Sequence, residues 1–232
     1  YNVTKTENGH FLHFGAIEKG SINKNDTVFA EIDVEKRMSA MRNHTAAHLL
    51  QAALREVLGE HVHQAGQLVN AERCRFDFSH FSAVTPDEIL RIENIVNDEI
   101  LNSINVVTKE MPIEEARKLG AMALFGEKYG DIVRVVDIGG KSIEFCGGTH
   151  VKNTSNIGLF KIVSENSVAS GVRRIEAVTG NGVLLFMNEL RNSINAASAV
   201  LKIANPSKLA ERCQALTAVS YTHLTLPTKL EV

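Results

Sequence analysis

No apolar run in the 232 residues approaches the roughly 20 that a membrane-spanning helix needs; "VLLFM" and "AMALF" are runs of core size. No basic start followed by an apolar stretch suggests a signal peptide. Neither sign of charge dominates: Lys plus Arg number 25, Asp plus Glu 27, and the formal net charge is −2. There is no global basic field, so any contact with nucleic acid has to use a local patch. Cysteine is scarce. Cys74, Cys146 and Cys213 are widely and irregularly spaced, which argues against a disulfide framework. An odd, low count fits a reducing compartment, and a cytoplasmic protein is expected. Internal repeats are absent. So is an initiator methionine: the chain opens on Tyr1, inside what reads as a strand pattern, and is expected to be a piece of a longer protein.

With 44% hydrophobic and 22% charged residues, the composition is that of an ordinary globular protein. The length suffices for a sizeable core. Residues 1–34 alternate apolar and polar positions around a Gly20/Asn23–Asp26 turn cluster and read as β structure, the back end of a small barrel. A helix is expected from Glu35 to Leu58, with Ala47, Leu50, Leu54, Val57 and Leu58 at helical spacing and Gly59 as its stop. "QAGQLV" and "CRFDFSHF" read as a hairpin. "TPDEILRIENIVNDEILNS" is a helix with Thr85 as N-cap, Pro86 at the first position and acidic residues in the first turn. "INVVTKEM" reads as a strand and "PIEEARKLG" as a short helix closed by Gly120. The strands "IVRVVDI", "SIEFC", "GLFKIVSE" and "VRRIEAVTG" follow. Helices are expected over 181–204 and, after Pro206, to about 218. Residues 219–232 continue no pattern and read as a non-native tail, so His223 is set aside. The fold class is α+β, a mixed or antiparallel sheet covered by helices.

"RNHTAAHLL" places His44 and His48 four apart, on one helix face, where two imidazoles can chelate one ion. "EFCGGTHV" places Cys146 and His150 four apart, in what reads as a strand–loop–strand setting. Gly147 and Gly148 between them are expected to let the backbone turn so that both side chains face one point. Either pair alone is more often an ordinary solvated pair. Together they point to a metal site, and a cysteine thiolate with imidazoles favours Zn²⁺ over hard, oxygen-seeking ions. A zinc-peptidase signature is excluded, because Thr45 stands where that motif needs Glu.

The other histidines carry less. His61 and His63 read as rim or surface residues; His10, His13 and His80 as ordinary strand or loop residues; Cys74 as core. "VASGVRRIEAVTG" sets Arg173 and Arg174 after a Ser170–Gly171 turn. They point to opposite sheet faces, so at most one reaches a given ligand, and the plain alternative is a surface ion pair. Gln64 offers an amide to a polar substrate or is a solvated hairpin residue. Glu144 and Asp137 lie near the second motif, with a surface role as good a reading for each.

"RNHTAAHLLQAALREVLGEHVHQAGQLV", "RFDFSHF", "EFCGGTHV" and "SGVRRIEAVTG" together resemble the editing region of alanyl-tRNA synthetases, over about residues 36–180. Threonyl-tRNA synthetase editing domains and free-standing alanyl-tRNA editing proteins share the paired motifs more loosely. The resemblance implies a barrel remnant over 1–35, an editing domain over 36–180 and a helical segment over 181–218. It implies zinc on His44, His48, Cys146 and His150. Catalytic positions would be Gln64, Cys146, Gly147 and Thr149, with Gln64, Arg173 and Arg174 against the RNA. The implied reaction is hydrolysis of tRNA(Ala) charged with serine or glycine, the second sieve that a synthetic pocket for alanine requires. The implied partner is the tRNA(Ala) acceptor end carrying Ser, Gly or Ala, and a homodimer is possible through a C-terminal region. A synthetase of this family also binds ATP and ligates alanine, with a core that these residues lack. Competing readings are a free-standing editing protein, a zinc- and tRNA-binding module without activity of its own, a zinc-stabilised structural piece, and a threonyl-type editor.

Overall fold

A computed structural model describes residues 2–123 and 129–225. It divides into two units, residues 1–33 and 34–232. In the first, β1 (Asn2–Lys5) and β2 (Phe11–Phe14) form an antiparallel hairpin. Residues 15–33 contribute no strand, against the expectation from their alternation. Their apolar side chains find no strand to pair with among the described residues: Phe29 is 91% and Ile22 62% exposed.

The second unit is α+β, with antiparallel sheets and covering helices as expected. Its centre is helix α1 (Val34–Leu58), stopped by Gly59, whose φ of +113° ends the helix. From Asn43 to Leu54 nearly every residue is buried, not one stripe alone. The reason is placement between layers: α1 packs on β3 (Gln64–Val69), β4 (Cys74–Ser79) and β9 (Val172–Thr179) on one side and on β7 (Ser142–Phe145) on another. Ala46, Ala47 and Ala53 let both layers approach closely.

Helix α2 (Pro86–Leu101) lies against α1. It starts with a full capping box: Thr85 Oγ1 accepts from Glu88 N at 3.3 Å, and Thr85 N donates to the Glu88 carboxylate at 2.8 Å. One sheet runs β3-β4-β9-β8, with β8 spanning Phe160–Ala169. The other runs β5-β6-β7, with β5 over Val106–Pro112 and β6 over Ile132–Ile138. Strand β6 is apolar on both faces because each meets a core. Val133 and Val135 pack with Phe145 and with Ala116 of α3 (Ile113–Lys118), while Val136 and Ile138 join the main core around α1.

The second ligand motif lies between β7 and a 3₁₀ turn at Thr154–Ile157, not between two strands. Helix α4 (Asn181–Val200) ends four residues before the expected point. Helix α5 (Leu209–Thr225) carries the backbone through 219–225, so the start of the supposed tail continues a helix; 226–232 lie outside the described residues. No helix among the described residues is long and apolar enough to cross a membrane.

Candidate functional site

Because α1 crosses against β7, its histidines meet the loop that follows that strand. One ligand atom from each of His44, His48, Cys146 and His150 lies within 4.8 Å of the others. Cys146 Sγ is 3.5 Å from His44 Nε2 and 3.3 Å from His150 Nε2. Zinc held tetrahedrally by sulfur and imidazole nitrogen would separate such atoms by about 3.6 Å. The three rings pack at centroid distances of 4.3 to 5.2 Å. Burial chiefly, and the His44 imidazole next, depress His48 to about 3, and burial, the imidazoles of His48 and His44, and Arg134 depress His150 to about 2; His44 is lowered in the same direction. The rings are therefore neutral with lone pairs free, and three neutral imidazoles with a cysteine sulfur suit a borderline-soft dication.

Two of the three rings are hydrogen-bonded away from the centre, which fixes the nitrogen turned to it. His150 Nδ1 lies 3.2 Å from Thr45 Oγ1. That hydroxyl donates to Met41 O at 3.0 Å and accepts from Val151 N at 3.1 Å, so with His150 its one proton and two lone pairs are all used. His44 bonds to the backbone of Thr149. His48 Nδ1 has no hydrogen bond but faces Glu144 Oε2 at 3.5 Å.

Of the two roles left open for Glu144, the structure gives the one at the site. The register pairs it with Val136, so it shares the face of β7 and β6 that looks toward α1. It is 6% exposed, accepts from Ser142 Oγ at 2.6 Å, and burial pushes its carboxyl up to about 7. Asp137 instead accepts from Gly140 N in the β6–β7 turn. Arg134, two residues from Val136 on that same face, was not singled out by its sequence. Its Nη1 donates to Cys146 O at 2.6 Å and Gly148 O at 2.7 Å and so clamps the Cys-x-x-x-His loop.

The paired glycines act differently from the expectation. Neither has a positive φ. Gly148 is needed for space: a Cβ there would collide with the His44 ring, whereas one on Gly147 would meet nothing within 4 Å.

A cavity of about 530 Å³ opens beside the cluster, lined by His44, His48, Gln64, Gln67, Arg134, Glu144, Cys146 and Gly147 among others. Gln64 and Gln67 are three apart, yet both sit on the core face of β3. A bulge between Gln64 and Gly66 breaks the alternation, so that Gln64 pairs with Phe78 and Gln67 with Phe76. Gln67 was missed in the sequence because period-two counting places it opposite Gln64. Thr149 is exposed, and its backbone, not a place in the cavity lining, ties it to the site.

Arg173 and Arg174 are not in the cavity lining. Each fork is engaged by a carboxylate: Arg173 with Glu165 at 2.5 and 2.7 Å, Arg174 with Asp77 at 2.7 Å twice. They do point to opposite faces, and His61 and His80 form a hydrogen-bonded pair at 2.8 Å. Cys74 is fully buried, its thiol pushed up to about 12 by desolvation.

Residues 133–176, which hold all but the first residue of β6, β7, the clamp and half of the cluster, match the family model described as "Threonyl and Alanyl tRNA synthetase second additional domain". The alanine–tRNA ligase of Staphylococcus saprophyticus is 54% identical over 210 residues, 90% of this chain and 24% of that protein. That of Acetivibrio thermocellus is 56% identical over 212 residues, 91% of this chain and 24% of that protein. That of Listeria monocytogenes is 54% identical over 201 residues, 87% and 23% respectively. The chain is therefore a homologue of the alanine–tRNA ligases and spans about a quarter of their length.

Proposed function

We propose that residues 36–180 form an editing domain, which hydrolyses the ester between serine or glycine and the 3′ end of tRNA(Ala). Residues 1–35 would belong to a preceding barrel and 181–218 to a helical extension. The observation that carries this reading is the N₃S cluster, within 4.8 Å, at the mouth of a cavity faced by two glutamine amides. The similarity to alanine–tRNA ligases and the match to an additional domain of alanyl and threonyl synthetases support it.

The resident ion would be zinc, held by His44, His48, Cys146 and His150. Bound there, it would supply a fixed positive charge beside the reacting ester. The chain's own residues do the rest. Glu144, Thr45 and the Thr149 backbone keep the three imidazoles aimed inward. Arg134 holds the two loop carbonyls, which fixes Cys146 relative to β6. Gln64, buried enough to be held and open enough to reach the cavity, offers an N–H to the ester oxygen as it gains negative charge. Water then adds to the carbonyl carbon, the bond to the ribose oxygen breaks, and that oxygen takes a proton. A site with polar donors recognises a serine hydroxyl, which an apolar pocket for alanine rejects poorly.

Single-turnover hydrolysis tests the assignment. Ser-tRNA(Ala) and Gly-tRNA(Ala) are expected to be deacylated faster than Ser-tRNA(Thr). The reverse order would make this a threonyl-type editor, and no hydrolysis by zinc-loaded, folded protein would leave a binding module.

A further inference from the structure

The hairpin that carries Gln64 into the cavity carries a second group of side chains at the same end. His61 and His63 precede β3, and His80, Phe81 and Ser82 follow β4, with Gln64 and Phe78 directly paired between them. His61, His80 and Phe81 form a group of three rings. Their centroids are 5.1 Å (His61–His80), 5.5 Å (His61–Phe81) and 4.7 Å (His80–Phe81) apart, and their planes differ by only 23°, 32° and 34°. His61 Nε2 and His80 Nδ1 share a hydrogen bond of 2.8 Å, and His80 Nε2 lies 3.2 Å from Ser82 Oγ.

The support is rigid. Ser79 Oγ donates to His61 O at 2.7 Å and accepts from His63 N at 2.9 Å, and His80 N donates to Gly171 O at 3.0 Å. On this fixed base Phe81 stands 82% exposed. His80 is itself buried, and the roughly parallel rings of His61 and Phe81 are the two left open to water; a surface held in place in this way costs little further entropy on binding a flat partner.

The group also borders the site. A second cavity, of about 510 Å³, is lined by His63, Ser79, Gln64 and Glu144 among others. Gln64 and Glu144 line the first cavity as well, so the two cavities share that wall. His63 and Ser79, which line the second cavity, lie close to His61 and His80 in the chain, and Ser79 bonds to the backbone of His61 and His63.

We propose that the exposed rings of His61 and Phe81, with buried His80 packed against both, are a stacking platform for an unpaired nucleobase at the 3′ end of an RNA whose terminal ester occupies the cavity beside Gln64. This rests on the deacylase reading above. The chemistry fits: the end of an acceptor strand is single-stranded, and unpaired bases are bound by proteins chiefly through aromatic stacking. The guanidiniums around the group are engaged, Arg173 by Glu165 and Arg55, which lines the second cavity, by Glu60 and the Val62 carbonyl, so the contact is with a base face and not with a phosphate.

The chain has no tryptophan, so Phe81→Trp places a single fluorophore on the platform. A single-stranded RNA hexamer ending in CCA is expected to quench it, and the same hexamer in a duplex is not. With the unlabelled chain, Phe81→Ala is expected to weaken hexamer binding roughly 10- to 100-fold, and Phe81→Tyr to keep it within a few-fold. Absence of quenching, or equal binding by the parent, Ala and Tyr forms, overturns the proposal. In deacylation assays the Ala variant should raise KM and leave kcat unchanged. Active protein with an unaltered KM overturns the platform and spares the deacylase. Phe81-dependent hexamer binding by a protein that hydrolyses nothing keeps the platform and removes the deacylase.

Discussion

Gly148→Ala isolates the geometry of the metal cluster from the conformation of its loop. The backbone at 148 is not left-handed, so alanine is allowed there; the obstacle is contact. Its Cβ would fall within the imidazole of His44, at Cε1 and Nδ1. The loop cannot retreat freely, because Arg134 holds the carbonyls of both Cys146 and Gly148. His44 must swing away, which strains its bond to the Thr149 backbone and removes one nitrogen from the cluster. Overpacking of this kind costs about 1–3 kcal/mol. Disturbing the support of a ligand lowers metal affinity by roughly 10- to 100-fold. Zinc affinity measured by competition with a chromophoric chelator should fall by at least that factor in Gly148→Ala. Gly147→Ala, with open space around its Cβ, should match the parent within about threefold. Equal losses in the two variants, or none in either, would refute the steric argument.

Further outcomes follow from the buried groups. In metal-free protein, His48 and His150, held at about 3 and about 2, resist protonation while the unfolded chain titrates near 6.5; stability should fall as pH drops from about 6.5 toward 3. Glu144, raised to about 7, works in the opposite sense: its contribution is present below about 4.5 and lost as pH rises through 7. Thermal melts of metal-free Glu144→Gln should therefore show a steeper acid loss than the parent, and zinc titration of the same variant should show roughly 10- to 100-fold weaker binding. Asp77→Asn removes one side of the bidentate pair with Arg174 and should lower the melting temperature measurably. Arg174 keeps the Asp77 carboxyl below its usual range, so this difference should be full above about pH 4 and shrink as pH falls through the depressed value.

The parts of the fold and site that were legible in the sequence are those written in local spacing. The His44/His48 pair follows from one helical turn, Thr85 and Glu88 announce the start of α2, and Gly59 ends α1. What could not be read depends on which layer lies on which face. The alternation of β7 allows Glu144 to face water or α1, and only the placement of α1 between two sheets decides it. Gln67 enters the cavity because a bulge at Ala65 shifts the register. Gly148 matters through a neighbour 104 positions earlier in the chain, which no local rule for glycine reveals. The choice between an RNA contact and an ion pair for the two arginines could not be made from the sequence, because the carboxylate partners, Glu165 and Asp77, lie 8 and 97 positions away.

The central claim is hydrolysis centred on Cys146 and the three histidines. The most direct measurement is single-turnover deacylation of Ser-tRNA(Ala) by the zinc-loaded chain, beside Cys146→Ala and with Ala-tRNA(Ala) as the second substrate. The account predicts fast release of serine, slow release of alanine, and loss of the serine activity in the variant. Undiminished serine release by a folded Cys146→Ala protein, or equal release of both amino acids by the parent, would contradict it.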